Sequence, residues 1–139
     1  MSKMLLSINP EHVENILNGN KQFEFRKIKC KSDVDQIIIY STSPVMRIIG
    51  EVEILDVIVD TPDEVWEATA EFAGITKKFF DMYFNNKEQA VAYRLGKVKK
   101  YKEPLKLADF GIGFAPQSFV YVQNLIRKQI TKSQYPRTS

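Results

Sequence analysis

The chain is poor in the residues on which most site chemistry is built. Among its 139 residues there is one cysteine, Cys30, one histidine, His12, and one tryptophan, Trp66. A lone cysteine excludes an internal disulfide framework and any cysteine-rich zinc site. One histidine beside it leaves too few soft ligands for a conventional structural zinc, so neither a metal nor a cofactor is expected. No apolar run approaches the roughly 18 residues of a membrane span. Met1 to Ile8 is too short for the apolar centre of a secretion signal and carries no small-residue cleavage pattern. The expectation is a cytoplasmic, monomeric domain. There is also no internal repeat, no low-complexity tract and no phosphate-cradling glycine loop of the Rossmann or Walker type.

What remains is ordinary in amount: 44% apolar and 27% charged residues, with six glycines and six prolines. A chain of this length buries roughly 68% of its unfolded surface, enough for one core without staples. Twenty Lys and Arg against 17 Asp and Glu give a net charge of +3, which excludes a disordered acidic segment and a supercharged chromatin protein. The charge is segregated along the chain. From Ile48 to Ile75 stand Glu51, Glu53, Asp56, Asp60, Asp63, Glu64, Glu67 and Glu71 with no base among them. Lys21, Arg26, Lys27, Lys29 and Lys31 form one basic stretch, and Lys97, Lys99, Lys100, Lys102 and Lys106 another. Such blocks can make a dipolar molecule with one face attractive to polyanions, or simply a solvated lysine surface.

Met4 to Ile8 reads as a strand. Asn9 then caps a short helix that has Pro10 in its first position, Val13, Ile16 and Leu17 inward, and Gly19 as a left-handed terminator. Gln22 to Ile28 alternates, with Phe23 and Phe25 on one face and Glu24 and Arg26 on the other. Asp35 to Tyr40 is a central strand, and Ile48 to Val59 a long strand bent at Gly50. Thr61-Pro62-Asp63-Glu64 opens a helix that buries Val65, Trp66, Thr69, Phe72 and Ala73 and ends at Gly74. Thr76 to Phe84 reads as a second short helix. Asn86 to Leu95 reads as a third, stopped by Gly96, and Lys97 to Leu105 as a strand that Pro104 pushes to an edge. Phe119, Val122, Ile126 and Ile130 follow helical spacing from Pro116, although Phe119 to Val122 fits a strand equally well. Residues 1–130 form one domain and 131–139 a frayed tail. Strands at both ends with a helical insertion point to an α+β class.

The segment Gly19-Asn20-Lys21-Gln22-Phe23-Glu24-Phe25-Arg26, behind Leu6 to Glu11 and a short helix, resembles the G-x-K-x-x-E-x-R signature of the ASCH family. Ile39-Tyr40-Ser41-Thr42-Ser43-Pro44, Ile49-Gly50-Glu51-Val52 and Phe114-Ala115-Pro116-Gln117-Ser118-Phe119 are similar to later elements of that family, in the same order. The resemblance implies a PUA-like mixed β-barrel and a role in RNA or modified-base recognition.

The residues themselves suggest a cleft for one nucleotide. Lys21 and Arg26 could hold a phosphate as a point charge and a planar fork. Glu24 could accept from an exocyclic amine, the ring of Tyr40 could stack on a base, and Ser41, Thr42 and Ser43 add hydroxyls. Lys27, Lys29, Lys99, Lys100 and Lys102 would grip the backbone of single-stranded RNA. Against this stand plainer readings: an exposed Glu24–Arg26 pair worth about 0–1 kcal/mol, a turn lysine, an ordinary hydroxyl turn and a structural Ser118. His12 is expected to be solvated. Trp66, Phe72, Phe79, Phe80, Tyr83 and Phe84 are expected to be core.

The alternatives to a binding module are a small hydrolase and a regulatory interaction or ligand-sensing domain. Some ASCH relatives look like amidohydrolases that act on N4-acetylcytidine with a lysine, a threonine and a glutamate. Here Lys21 is retained but Glu24 stands in place of the threonine, so Ser41, Thr42 or Ser43 would have to act as nucleophile with Glu51 or Glu53 as carboxylate. Other relatives look like ribonucleases, for which Lys21, Tyr40 and a serine could serve. Lys21 and Glu24 are the catalytic candidates.

Overall fold

A computed structural model describes residues 2–122. Its order is β1 (Ser2–Ile8), α1 (Pro10–Leu17), β2 (Phe23–Arg26), β3 (Val34–Ser41), β4 (Arg47–Asp60), α2 (Pro62–Thr69), α3 (Lys77–Tyr83), β5 (Ala90–Leu105) and β6 (Phe119–Val122). Short 3-10 turns follow α2 at Ala70–Phe72 and β5 at Leu107–Phe110. One six-stranded sheet runs β2-β5-β4-β3-β1-β6, with β1 parallel to β3 and the other neighbours antiparallel.

Local chemistry explains most of these elements. Asn9 accepts the Glu11 N–H at 3.0 Å through its side chain and Pro10 starts the helix, so α1 begins where the sequence predicts. The chain leaves that helix through Gly19 at φ +85°, a left-handed conformation glycine adopts without penalty. β1 is covered on both sides: Met4, Leu6 and Ile8 pack into one core cluster and Leu5 into another. Gly50 sits at a break in the β4–β5 register, where a Cβ would stand 2.3 Å from the Lys99 carbonyl oxygen. The anticipated bend in β4 is therefore a close backbone approach.

Two expectations are corrected. The sheet is not closed into a barrel. β2 and β6 are its edges, and the four residues of β2 pair only with β5 before the chain leaves the ladder. Side chains bridge part of the gap: Arg26 reaches the Ser7 carbonyl, and the Tyr93 and Tyr121 hydroxyls accept the Cys30 and Lys31 N–H groups. Of the helix expected at Asn86 to Leu95, Ala90 to Leu95 are the first part of β5 and Asn86 to Gln89 precede it outside any helix. Ala90, Val91, Ala92 and Tyr93 are each fully buried, because Val91 and Tyr93 pack into one core cluster and Ala90 and Ala92 into another, with β2 and β4 pairing along the two edges. That all-round burial suits an inner strand. Pro104 lies beyond the reach of β2, so among the described residues the edge expected for Lys97 to Leu105 does exist on that side.

Phe119 to Val122 takes the strand alternative. Ile126, Ile130 and the expected tail lie outside the described residues. Among the described residues no helix is long and apolar enough to cross a membrane.

The helical insertion builds its own core of Phe23, Phe25, Val65, Ala73, Phe80 and Phe84, roofing β2. Phe72 and Phe79, expected inside, are 45% and 48% exposed. The other faces of β2 and α3 frame the candidate site.

Candidate functional site

Lys21 enters the molecule rather than projecting from it. Its backbone N–H closes on the Asn15 carbonyl at 2.9 Å beyond the Gly19 turn, and only 3% of the residue is exposed. Its seat is Gly74, at φ +72°, where a Cβ would lie 2.4 Å from the Lys21 Cβ. The ammonium donates to the Phe23 carbonyl at 2.6 Å and the Ala73 carbonyl at 3.3 Å. It stands 4.7 Å above the Phe25 ring and 3.9 Å from Glu24 Oε1.

Glu24 is 6% exposed, so it does not form the solvated pair with Arg26 that alternation alone allows. Arg26 directs both Nε and Nη2 onto Glu24 Oε2, at 2.9 and 2.8 Å, and Nη2 also reaches the Ser7 carbonyl at 2.9 Å. Two cations thus flank one carboxylate in a nearly dry setting. Removing charges from water costs several kcal/mol per ion before pairing repays it, and such clusters in clefts mark functional candidates. Burial holds the Lys21 ammonium below its usual pKa, with Arg26 acting the same way and Glu24 opposing. Burial likewise lowers His12, helped by the Lys21 charge, and raises the Tyr83 phenol.

These groups line a cavity of about 160 Å3. The end of β1 contributes Ser7 and Ile8, α1 contributes His12, β2 and its approach give Lys21, Glu24, Phe25 and Arg26, and α3 adds Phe79 and Tyr83. It adjoins a wider groove of about 710 Å3 that shares Asn9, His12, Ile75 and Phe79. The walls are rings and the floor is charged.

Of the expected site, Lys21, Glu24 and Arg26 converge and the hydroxyl turn does not join them. Tyr40 is 3% exposed, packed with Leu5, Ile38 and Phe110, so its ring offers no open face for stacking. Ser41 is 2% exposed in the ladder between Ile8 and Arg47. Thr42 donates its N–H to the Ile8 carbonyl at 3.0 Å, and neither its side chain nor that of Ser43 lines the cavity. Glu51 and Glu53 are absent from the lining too.

The lysines divide. Lys27 stands 4.5 Å above the ring of Tyr83, which lines the cavity, and Lys29 is exposed two residues further along the chain. Lys99, Lys100 and Lys102 are exposed on the far half of β5. Tyr93 is the β5 partner of Glu24, and at roughly 3.3 Å per residue Lys99 lies about 20 Å further along the strand. The β4 members of the acidic block do not stand apart from the bases. Glu51 accepts from Lys3 at 3.1 Å and from the Tyr101 hydroxyl at 3.0 Å, Glu53 takes the Lys97 N–H, and Asp56 pairs with Arg94. Acid and base interleave across the β4–β5 ladder.

His12, Phe79, Tyr83 and Gly74 were missed as site residues. His12 is half-buried, edge-on to Phe79 with ring centroids 5.5 Å apart, rather than solvated. Its spacing held the signal, since His12 lies four residues before Ile16 and beside Val13 on the inner flank of α1. Among the described residues no group of three His, Cys, Asp or Glu could hold a metal ion.

Comparison with known proteins accords with this architecture. Residues 6–103 match the family model described as the ASCH domain. The chain is 30% identical over 121 residues to a protein named ATP synthase subunit alpha from Ureaplasma parvum, covering 86% of this chain and 15% of that one. It is 28% identical over 92 residues to an ASCH domain-containing ribonuclease from Zymomonas mobilis, covering 66% of this chain and 62% of that one. The chain therefore spans less than two thirds of either relative. The crystal structure of ASCH from Zymomonas mobilis superposes with a TM-score of 0.85 at 22% identity over 94% of each chain, a likeness of fold. The match over residues 6–103 takes in the signature lysine, glutamate and arginine together with most of the sheet, and the chain belongs to the ASCH domain family.

Proposed function

We propose that this chain is an RNA-related ASCH module, cytoplasmic and monomeric, that binds single-stranded RNA by lodging one nucleotide in the β2–α3 cavity in a regulatory role. The observation that carries this reading is the buried Lys21–Glu24–Arg26 cluster flooring a cavity walled by Phe25, Phe79 and Tyr83. Rings suit the faces of a base, since base–aromatic stacking contributes about 1–3 kcal/mol per base. A carboxylate oxygen at the floor suits its edge. The exposed Lys27, whose ammonium stands over the Tyr83 ring, and Lys29 two residues on would meet the adjoining backbone.

Fluorescence anisotropy with a labelled single-stranded oligoribonucleotide tests it. Affinity is expected to fall steeply with salt and to drop at least tenfold in Arg26→Ala and Lys21→Ala, with circular dichroism confirming that each variant folds. Binding indifferent to salt and to both substitutions sinks the reading.

Cleavage is the second reading, favoured by the Zymomonas relative named a ribonuclease. The amidohydrolase version has little support. The Lys21 ammonium already donates to two carbonyls, and Ser7 Oγ, the serine hydroxyl lining the cavity, donates to the Pro116 carbonyl at 2.8 Å. RNA cleavage needs no protein hydroxyl, because the ribose 2′-OH is the attacking group. End-labelled RNA incubated with the protein and run on a denaturing gel separates the two readings: stable complexes support binding, and fragments lost in Lys21→Ala support cleavage.

A further inference from the structure

The groove beside the cavity has a chemistry of its own. It runs between the start of α1 and the turn from Gly74 into α3, and shares Asn9, His12, Ile75 and Phe79 with the cavity. Its charged lining residues are Glu11 and Glu71, both exposed, and among the described residues no Lys or Arg joins them. Neither carboxylate has an ion pair or accepts a hydrogen bond among the described residues. The bases next along the chain do not neutralise them: Lys77 is held by Asp81 at 2.8 Å, and Lys78 lies outside the lining. Other polar groups of the wall are already engaged. The Asn9 side chain accepts the Glu11 N–H at 3.0 Å, and the Thr76 hydroxyl accepts the Phe79 N–H at 3.1 Å. The groove therefore offers two open carboxylates, the Asn20 amide and apolar surface. Phe79 is half exposed and Ile75 half-buried; Phe72 follows Glu71 in the chain, and Met82, a turn beyond Phe79, is 70% exposed. Large apolar side chains left in water beside a concavity mark interaction sites.

We propose that this groove docks a basic, apolar-anchored segment of a partner protein. An apolar side chain of the segment packs on Ile75 and Phe79, and a lysine or arginine beside it reaches Glu11 and Glu71. The ring of Phe79 also suits such a residue, whose stem and cation both pack on aromatic faces. Amphipathic segments commonly bind in this way, with apolar anchors giving affinity and a complementary rim giving orientation. The same lining turns away the backbone of RNA, because unpaired carboxylates repel phosphates. The proposal stands apart from the RNA reading, which concerns the cavity.

Short labelled peptides test it on the full chain, with fluorescence anisotropy giving affinity and amide spectra of the 15N-labelled protein giving position. An alternating leucine–lysine peptide should bind saturably and shift the amides of Glu11, Glu71, Ile75, Thr76 and Phe79. A serine–lysine peptide lacks the anchors and a leucine–glutamate peptide reverses the charge, so each should bind about tenfold more weakly. Glu11→Gln and Glu71→Gln should each weaken the leucine–lysine peptide about threefold, as partly exposed pairs do, and Phe79→Ala about tenfold. Neither glutamate lines the cavity, so both glutamine variants should hold RNA as the wild type does, while Arg26→Ala should keep the peptide and lose RNA. Equal binding of the leucine–lysine and serine–lysine peptides, or ready displacement by spermidine, means diffuse charge attraction and overturns the proposal. Shifts centred on Asp63 and Glu64 of α2, shifts of Glu11 and Glu71 by RNA, or no saturable binding of the leucine–lysine peptide overturn it as well. Peptide binding without RNA binding leaves the proposal standing and removes the RNA reading, and the reverse result removes the proposal alone.

Discussion

Two groups of basic residues, one from each basic stretch, end up in opposite physical situations. Lys21 and Arg26 turn inward around Glu24, with Lys21 at 3% exposure and tied to backbone carbonyls. Lys99, Lys100 and Lys102 stand in water along the outer half of β5, with Lys99 opposite Glu51 across the ladder. A charge in water is nearly indifferent to its neighbours, while a charge out of water must have its partners arranged by the fold. The glycine turns and the helical insertion around Lys21 supply that arrangement. Charge density along the sequence therefore says little about where a site is; the backbone built around a charge says more.

The largest expected effect breaks the buried side of this contrast. Glu24→Ala leaves two cations without their carboxylate, and urea denaturation should show a loss of about 3–5 kcal/mol. Lys100→Ala should stay within about 0.5 kcal/mol, as surface substitutions do. Equal effects at the two positions would abolish the distinction. Next in size is Gly74→Ala. Gly19 and Gly74 both have positive φ, but a Cβ at Gly19 meets nothing within 4 Å whereas one at Gly74 strikes Lys21. Gly19→Ala should cost about 1 kcal/mol of backbone strain, and Gly74→Ala about 1 kcal/mol beyond that, with a fall in RNA affinity seen for it alone. Smaller again is the ionic signature. Each of Lys99, Lys100 and Lys102 that touches single-stranded RNA should lower the salt slope by about 0.7 on removal. Arg26→Ala should weaken binding and leave the slope unchanged, because its guanidinium is engaged within the protein.

The caps and turns were legible because their causes are local. Asn9-Pro10, Thr61-Pro62 and Gly19 determine backbone geometry through their immediate neighbours, and they stand where the sequence places them. The first part of β5 was misread because Asn86 to Gln89 imitates a helix cap, while the strand is decided by β2 and β4, both distant in sequence. The signature spacing brought out Lys21, Glu24 and Arg26, yet alternation suggested an exposed pair. Their burial depends on the roof of α2 and α3, which no local pattern reports. Tyr40 failed as a stacking ring for a similar reason: whether the outer face of a central strand is open depends on Leu105 and Phe110, more than sixty residues away. His12, by contrast, was within reach of helical spacing.

His12 yields the smallest effect and the one most specific to the cavity. Its pKa lies below 6.5, first through burial and then through the Lys21 ammonium, with Arg26 acting in the same sense and Glu24 and Glu11 opposing. As pH falls through 6.5 the unfolded chain takes up a proton that the folded chain still refuses, so stability declines with falling pH until the folded imidazole also protonates. Other groups titrate below that window, so the quantity to measure is the difference between the wild-type protein and His12→Phe in urea midpoints from pH 7 to pH 5. The wild type should lose more stability than the variant as the pH falls. Parallel curves would mean that the imidazole titrates as freely folded as unfolded, and that the cavity wall at His12 is open to water.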